Sequence, residues 1–190
     1  MGARGCEHMV ESLRLEGRFK DFFDIWASFR REGQHVPDWE QVRPMAFGNL
    51  LPDVTLAQKH GPNDYRYRLL GSGINERMGQ DPVGVDILSF LASDHRRYAD
   101  AWLELAAAHP CALLHEASVE YQKVHHKSYQ ALNLPIRGGS GEIDTFIYYN
   151  LMQAPKLGED TGELISVGKK AFVIKPVDIG AGVPDAPKPC

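Results

Sequence analysis

YRYRLLGSGINERMGQDPVG, residues 65–84, runs a strand-like alternation into three closely spaced glycines, a short helical segment and a further glycine turn. Tyr65, Tyr67 and Leu69 alternate with Arg66, Arg68 and Leu70, so one strand face is apolar and aromatic while the other carries two guanidiniums. The glycines admit two readings, a phosphate cradle or backbone punctuation. The cradle fails on spacing: in GSGINERMG the third glycine comes too late for G-x-G-x-x-G, and no βαβ unit surrounds it. RGGSG (137–141) lacks the Lys-Ser or Lys-Thr of a phosphate loop and reads as a hairpin turn. Punctuation remains: Gly71 and Gly73 for a bend and close packing, Gly79 for a left-handed helix end, and Gly84 for a turn after Pro82.

Working outward, VTLAQK (54–59) pairs with residues 64–71 as a hairpin across the turn signal GPND. Upstream, RFKDFFDIWASFRREG (18–33) spaces Phe19, Phe22, Phe23, Trp26 and Phe29 at three and four residues, an aromatic stripe on a helix ended by Gly33. That stripe demands a cover, either the protein's own core or a second subunit. Downstream, SDHRRYADAWLELAAAHP (93–110) has helical spacing, and ALLHEASVEYQ (112–122), KSYQALNLPI (127–136) and EIDTFIYYNL (142–151) form a three-stranded meander. This order predicts an α+β domain: a five-stranded antiparallel sheet, helices packed on one face, and an N-terminal aromatic capping helix. Residues 1–17 read as an arm, 18–151 as the domain, and 152–190 as a C-terminal extension expected to be partly disordered. Within that extension LISVGKKAFVIK could add a strand or an ordered arm, and PVDIGAGVPDAPKPC reads as a loose tail.

The element order resembles a PAS domain, and the opening stretch carries the resemblance furthest: a second strand, a short helix ending at glycine, a polar turn and another glycine. More narrowly, the chain is similar to stand-alone bacterial PAS proteins. The shared pieces are FFDIWASFRREGQHVPDWEQVRPMAFGNLLPDVTL with its W-x-x-x-R helix, the y-R-L-x-G-t-like strand, and the LNLPI strand, together spanning about residues 19–151. One departure is Gly71, where many PAS domains carry a strand-end asparagine; ligand chemistry tied to that asparagine does not transfer. A light-sensing flavin domain of this class would need a reactive cysteine in an Asn-Cys-Arg motif, and Cys6, Cys111 and Cys190 lack that context.

The resemblance implies a cavity between sheet and helices. Its expected lining is Met78, Tyr98, Trp102, His115, Tyr121 and Tyr129, with Arg68 near the mouth. Each has a competing reading as ordinary core, and His115, on the Ala117/Val119/Tyr121 face, would need a hydrogen-bond partner as a neutral imidazole. His125 and His126 fall in a turn and read as solvated. Twenty-five acidic and 21 basic residues give a net charge of −4, which argues against nucleic acid and anionic membranes as partners. Three scattered cysteines without CxxC spacing indicate neither a disulfide framework nor a zinc site, and no apolar run reaches the roughly 20 residues of a spanning helix. A cytoplasmic location is expected. With no HExxH, GxSxG or kinase signature, the reading is a non-catalytic sensory or regulatory module with no cofactor named. Its expected partners are a small molecule, a signalling protein and a second copy of the chain through the 19–29 helix. A ligand-free adaptor, and an enzyme using His115 as base, are the alternatives.

Overall fold

The computed structural model describes residues 15–123, 127–152 and 160–187; His125, His126, Cys6, Cys190 and nearly all of the N-terminal arm lie outside them. Among the described residues three α-helices, α1 (Gly17–Ser28), α2 (Ser72–Met78) and α3 (Ser93–Ala108), accompany six strands: β1 (Val54–Gly61), β2 (Asp64–Leu70), β3 (Ala112–Tyr121), β4 (Lys127–Arg137), β5 (Ile143–Met152) and β6 (Leu164–Val177). The sheet order is β2-β1-β5-β4-β3-β6, antiparallel throughout. Five strands match the sequence reading. The sixth comes from the segment read as an extension, so the sheet is one strand wider than expected.

β5 is a central strand, and its consecutive tyrosines divide the molecule. Tyr149 faces α1, with Phe22 and Phe19 ring centroids 5.5 and 6.0 Å away. Tyr148 faces the side covered by α3 and by the 3-10 turn Ile87–Phe90. The aromatic stripe of α1 is thereby used on its own sheet. Phe22 and Trp26 are completely buried, and the Trp26 indole donates to the Pro135 carbonyl at 3.0 Å. A homodimer through this stripe would compete with the chain's own core, which already occupies its centre. The helix also stops at Ser28, short of Gly33; Phe29 and Arg30 close the last turn onto Trp26 and Ala27.

The glycines act as punctuation. A Cβ on Gly71 would stand 2.3 Å from the carbonyl oxygens of both Leu51 and Pro52, so the strand-to-helix bend packs backbone on backbone. Gly79 ends α2 in the left-handed region at φ 68°. α2 is tied back to the start of β1 by the Arg77–Asp53 ion pair. α3 is held at its far end by Glu104, which accepts from the Tyr65 hydroxyl at 2.6 Å and from Lys59 Nζ at 2.7 Å.

β6 pairs with β3 in two stretches, Ala112–Ala117 against Val177–Phe172 and Val119–Tyr121 against Val167–Leu164. Between them residues 168–171 bulge outward, with Gly168 at φ 90° and the Lys170 and Ala171 amides donating to the Ser118 hydroxyl. The stretch after β6 is irregular, as its composition suggested, yet it is anchored: Ile179 is buried and its carbonyl accepts from Arg30 Nη1 at 2.9 Å. The Arg30 guanidinium itself lies 5.2 Å from the Trp26 ring centroid. The end of β6 is thus fastened to α1.

Gly71→Ala is expected to cost about 3 kcal/mol in urea unfolding, because the clash is with main chain that cannot swing away. Gly84→Ala, with open space around it but φ 83°, should lose only about 1 kcal/mol. Trp26→Asp is expected to unfold the chain. Circular dichroism with sedimentation checks this, and a folded variant of smaller sedimentation coefficient would instead place Trp26 at a subunit contact.

Candidate functional site

Residues directly opposite one another in an antiparallel sheet share a face. The ladder Thr55↔Tyr148↔Asn133↔Leu113 and the ladder Asn150↔Ala131↔His115↔Ile174 therefore project toward α3. Where α3 and the 87–90 turn cross them, a cavity of about 70 Å³ remains. Ala99 and Leu103 of α3, with Leu88 and Leu91, form its apolar roof; Tyr67, Tyr129, Tyr148 and His115 rise from the sheet floor. Val167 and Phe172 of β6 complete one wall.

Two kinds of polar group meet here. Tyr129 is satisfied: its hydroxyl donates to Asn150 Oδ1 at 2.9 Å, and the Asn150 amide donates in turn to the Asp53 carbonyl and to Thr55 Oγ1. His115 Nε2 and the Tyr148 hydroxyl are buried with no hydrogen-bond partner among the described residues, their ring centroids 6.2 Å apart. An unmatched buried polar group costs on the order of 1–3 kcal/mol, so two on one cavity mark a place where a partner is missing. Burial alone pushes the His115 imidazolium pKa down to about 4 and holds it neutral. Burial likewise raises the Tyr67, Tyr129 and Tyr148 phenols far above their ordinary range, with Asp86 adding to the effect at Tyr67. Among the described residues no Lys, Arg, Asp or Glu side chain lines the cavity. The lining they form is therefore uncharged near neutral pH.

Of the seven residues expected from sequence, His115 and Tyr129 line the cavity. Tyr98 and Trp102 stand just behind the wall: Tyr98 meets Trp102 and Phe172 edge-on, and Trp102 is core with its indole N–H unpartnered. Met78 and Tyr121 do not line it; they belong to a second cluster with Ile74, Val119 and Leu164, against which Phe90, Tyr129 and Val167 of the lining pack. Arg68 is on the opposite sheet face, since strand alternation sets it against Tyr67; it stacks over Trp39 at 4.9 Å and donates to Gln58. It is not at the mouth.

Tyr67, Thr55, Tyr148, Asn150 and Phe172 were missed by the sequence reading. A signal existed for Asn150, a polar residue in the apolar run FIYYNL, and for Asn133 in LNLPI. Asn133 is completely buried beside Tyr148 in register, with both amide atoms unpartnered. Cys111 is a small core residue whose thiol pKa burial pushes up to about 12. Among the described residues no cluster of three or more His, Cys, Asp or Glu could hold a metal ion, and no helix is long and apolar enough to cross a membrane.

The unfolded chain protonates His115 near pH 6.5 whereas the native chain resists until about pH 4, so the unfolded state binds the extra proton between those values. Stability contributed by neutral His115 is then full above pH 6.5 and falls by roughly 3 kcal/mol as the pH drops to 4. Urea unfolding as a function of pH, wild type against His115→Gln, should show that slope in the wild type and its loss in the variant.

No curated protein matches the chain. Among solved structures, a chain from the work "Flavin Analogue Sheds Light on Light-Oxygen-Voltage Domain Mechanism" is similar at 14% identity and a TM-score of 0.40, over 53% of this chain and 76% of that one. The flavin named there belongs to that protein. A family model described as PAS domain matches residues 17–148, from the first residue of α1 to Tyr148 on the cavity floor. By that match over most of its length, the chain belongs to the PAS domain family.

Proposed function

We propose that the chain is a non-catalytic sensory module that takes a small molecule into the cavity beneath α3 and reports its presence to a protein partner through α1 and β6. The observation carrying this reading is the pair of unpartnered groups on the cavity, His115 Nε2 and the Tyr148 hydroxyl. A binding role suits the site better than catalysis. A histidine that stays neutral to about pH 4 is a weak base, and the neighbouring phenols hold their protons too firmly to serve as acids.

A route outward supports the reading. β6 lies beyond the residues matched by the family model, yet its Phe172 walls the cavity and packs against His115. Just past the end of that strand lies Ile179, whose carbonyl accepts from Arg30, two residues beyond the end of α1. An occupant touching Phe172 can shift the β6–α1 attachment only by its differential affinity for the two arrangements. A ligand-free adaptor is the second reading, favoured by apolar side chains left exposed near β2: Met45, 79% exposed, and Leu69 flank one groove, with Val83 and Val85 exposed in the following loop. In both readings the module acts in the cytoplasm, on a signalling protein or on a second copy of itself.

Native mass spectrometry of freshly purified protein, beside a denatured sample, is expected to show a reproducible added mass. Hydrogen exchange after its removal should rise in residues 17–30 and 164–180. A clean mass with unchanged exchange would reject the sensory reading in favour of the adaptor.

A further inference from the structure

Resting on the proposal that the cavity takes a small molecule, we infer that the molecule is a small neutral compound of amide or carbonyl type, with roughly three to five non-hydrogen atoms, held between His115 and Tyr148.

Size sets the first limit. A cavity of about 70 Å³ is around half the volume that admits a benzene ring in an engineered protein core, and it falls well short of the several hundred Å³ used by drug-sized ligands. Charge sets the second. Among the described residues the lining holds no ionised side chain, and an ion brought in would have to leave water with no opposite charge among them to meet it. Asp86, whose charge acts on Tyr67, is outside the lining, and its Oδ1 already accepts from the Leu88 and Tyr65 amides at 3.0 and 3.3 Å.

Chemistry sets the third limit. The neutral imidazole offers one donor or one acceptor at Nε2, and the Tyr148 hydroxyl can give or take a hydrogen bond. A flat group carrying an oxygen acceptor, with or without an adjacent N–H, satisfies both. Aromatic rings line several sides, and a flat molecule fits among them best: Phe172 and Tyr148 stand 6.4 and 6.2 Å from His115 by centroid, and Tyr67 meets Phe90 edge-on at 6.2 Å. A purely apolar occupant would leave both polar groups unmatched.

Acetamide, acetate and acetamidinium form a planar series of one size that differs in charge, and they probe the site directly at pH 7. In full-length protein with labelled histidine, acetamide is expected to shift the His115 ring resonances saturably, while acetate and acetamidinium bind at least about tenfold more weakly. Tyr148→Phe should fold as well as the wild type, because it deletes an unpartnered hydroxyl, and should weaken acetamide at least about fivefold. Ala99→Val, which narrows the roof, should weaken it as well.

Equal or tighter binding of either ion, no response of His115 to acetamide, or an unaltered affinity in Tyr148→Phe would each overturn the inference. The sensory reading fails separately. Saturable acetamide binding that leaves exchange in residues 17–30 and 164–180 unchanged keeps the ligand class and removes the signalling role. A charged or larger native adduct that does alter that exchange keeps the role and rejects the class.

Discussion

Strand β5 must serve two cores at once. Successive side chains of a strand leave on opposite faces, and both faces of β5 are covered, so FIYYNL reads as a nearly continuous apolar run. Phe146, Tyr148 and Asn150 belong to the α3 side, Ile147 and Tyr149 to the α1 side. A slip of one residue would put Tyr149 under α3 and Tyr148 against Phe22, emptying the site and unseating the leading helix together. The register is held from both neighbours, by Thr55↔Tyr148 on β1 and Asn133↔Tyr148 on β4, and by the Asn150 amide bridging back to Asp53. The packing of α1 and the shape of the cavity are therefore two outcomes of one strand alignment.

The cavity is a compromise between packing and polarity. Closing it would bring dispersion contacts that the roof residues now lack, but it would press apolar carbons onto a phenol and an imidazole that have surrendered their water. Keeping it open preserves space for a molecule able to satisfy them. The tyrosines keep their protons and His115 stays unprotonated for the same reason, burial, so one physical cause keeps these titratable groups of the lining neutral.

Five strands, α3 and the aromatic character of α1 were legible because period-two and period-3.6 patterns are local, and because Gly71 and Gly79 mark bends that other residues would resist. The site was only half legible. His115 and Tyr129 lay on recognisable inward faces, whereas Met78 and Tyr121 were equally inward and fell into a second cluster whose existence depends on where β6 passes. Phe172 and Val167 could not have been nominated at all without knowing that residues 164–177 join β3, a pairing between segments some 50 residues apart. Arg68 was misplaced for a simpler reason. Its strand face was read correctly as the guanidinium face, but which face lies under α3 is a tertiary fact.

β6 has a further consequence. At 14 residues it is a long strand on the margin of the sheet, and an unpaired margin of that length is a template on which other chains can extend a sheet. The bulge at residues 168–171 breaks the template near its middle and turns its amides inward onto Ser118. Lys169 and Lys175 are spent on ion pairs with Glu120 and Glu116 of β3, which tie the strand to its own neighbour. The irregularity beside the cavity wall also makes that margin a poorer template for pairing with another chain.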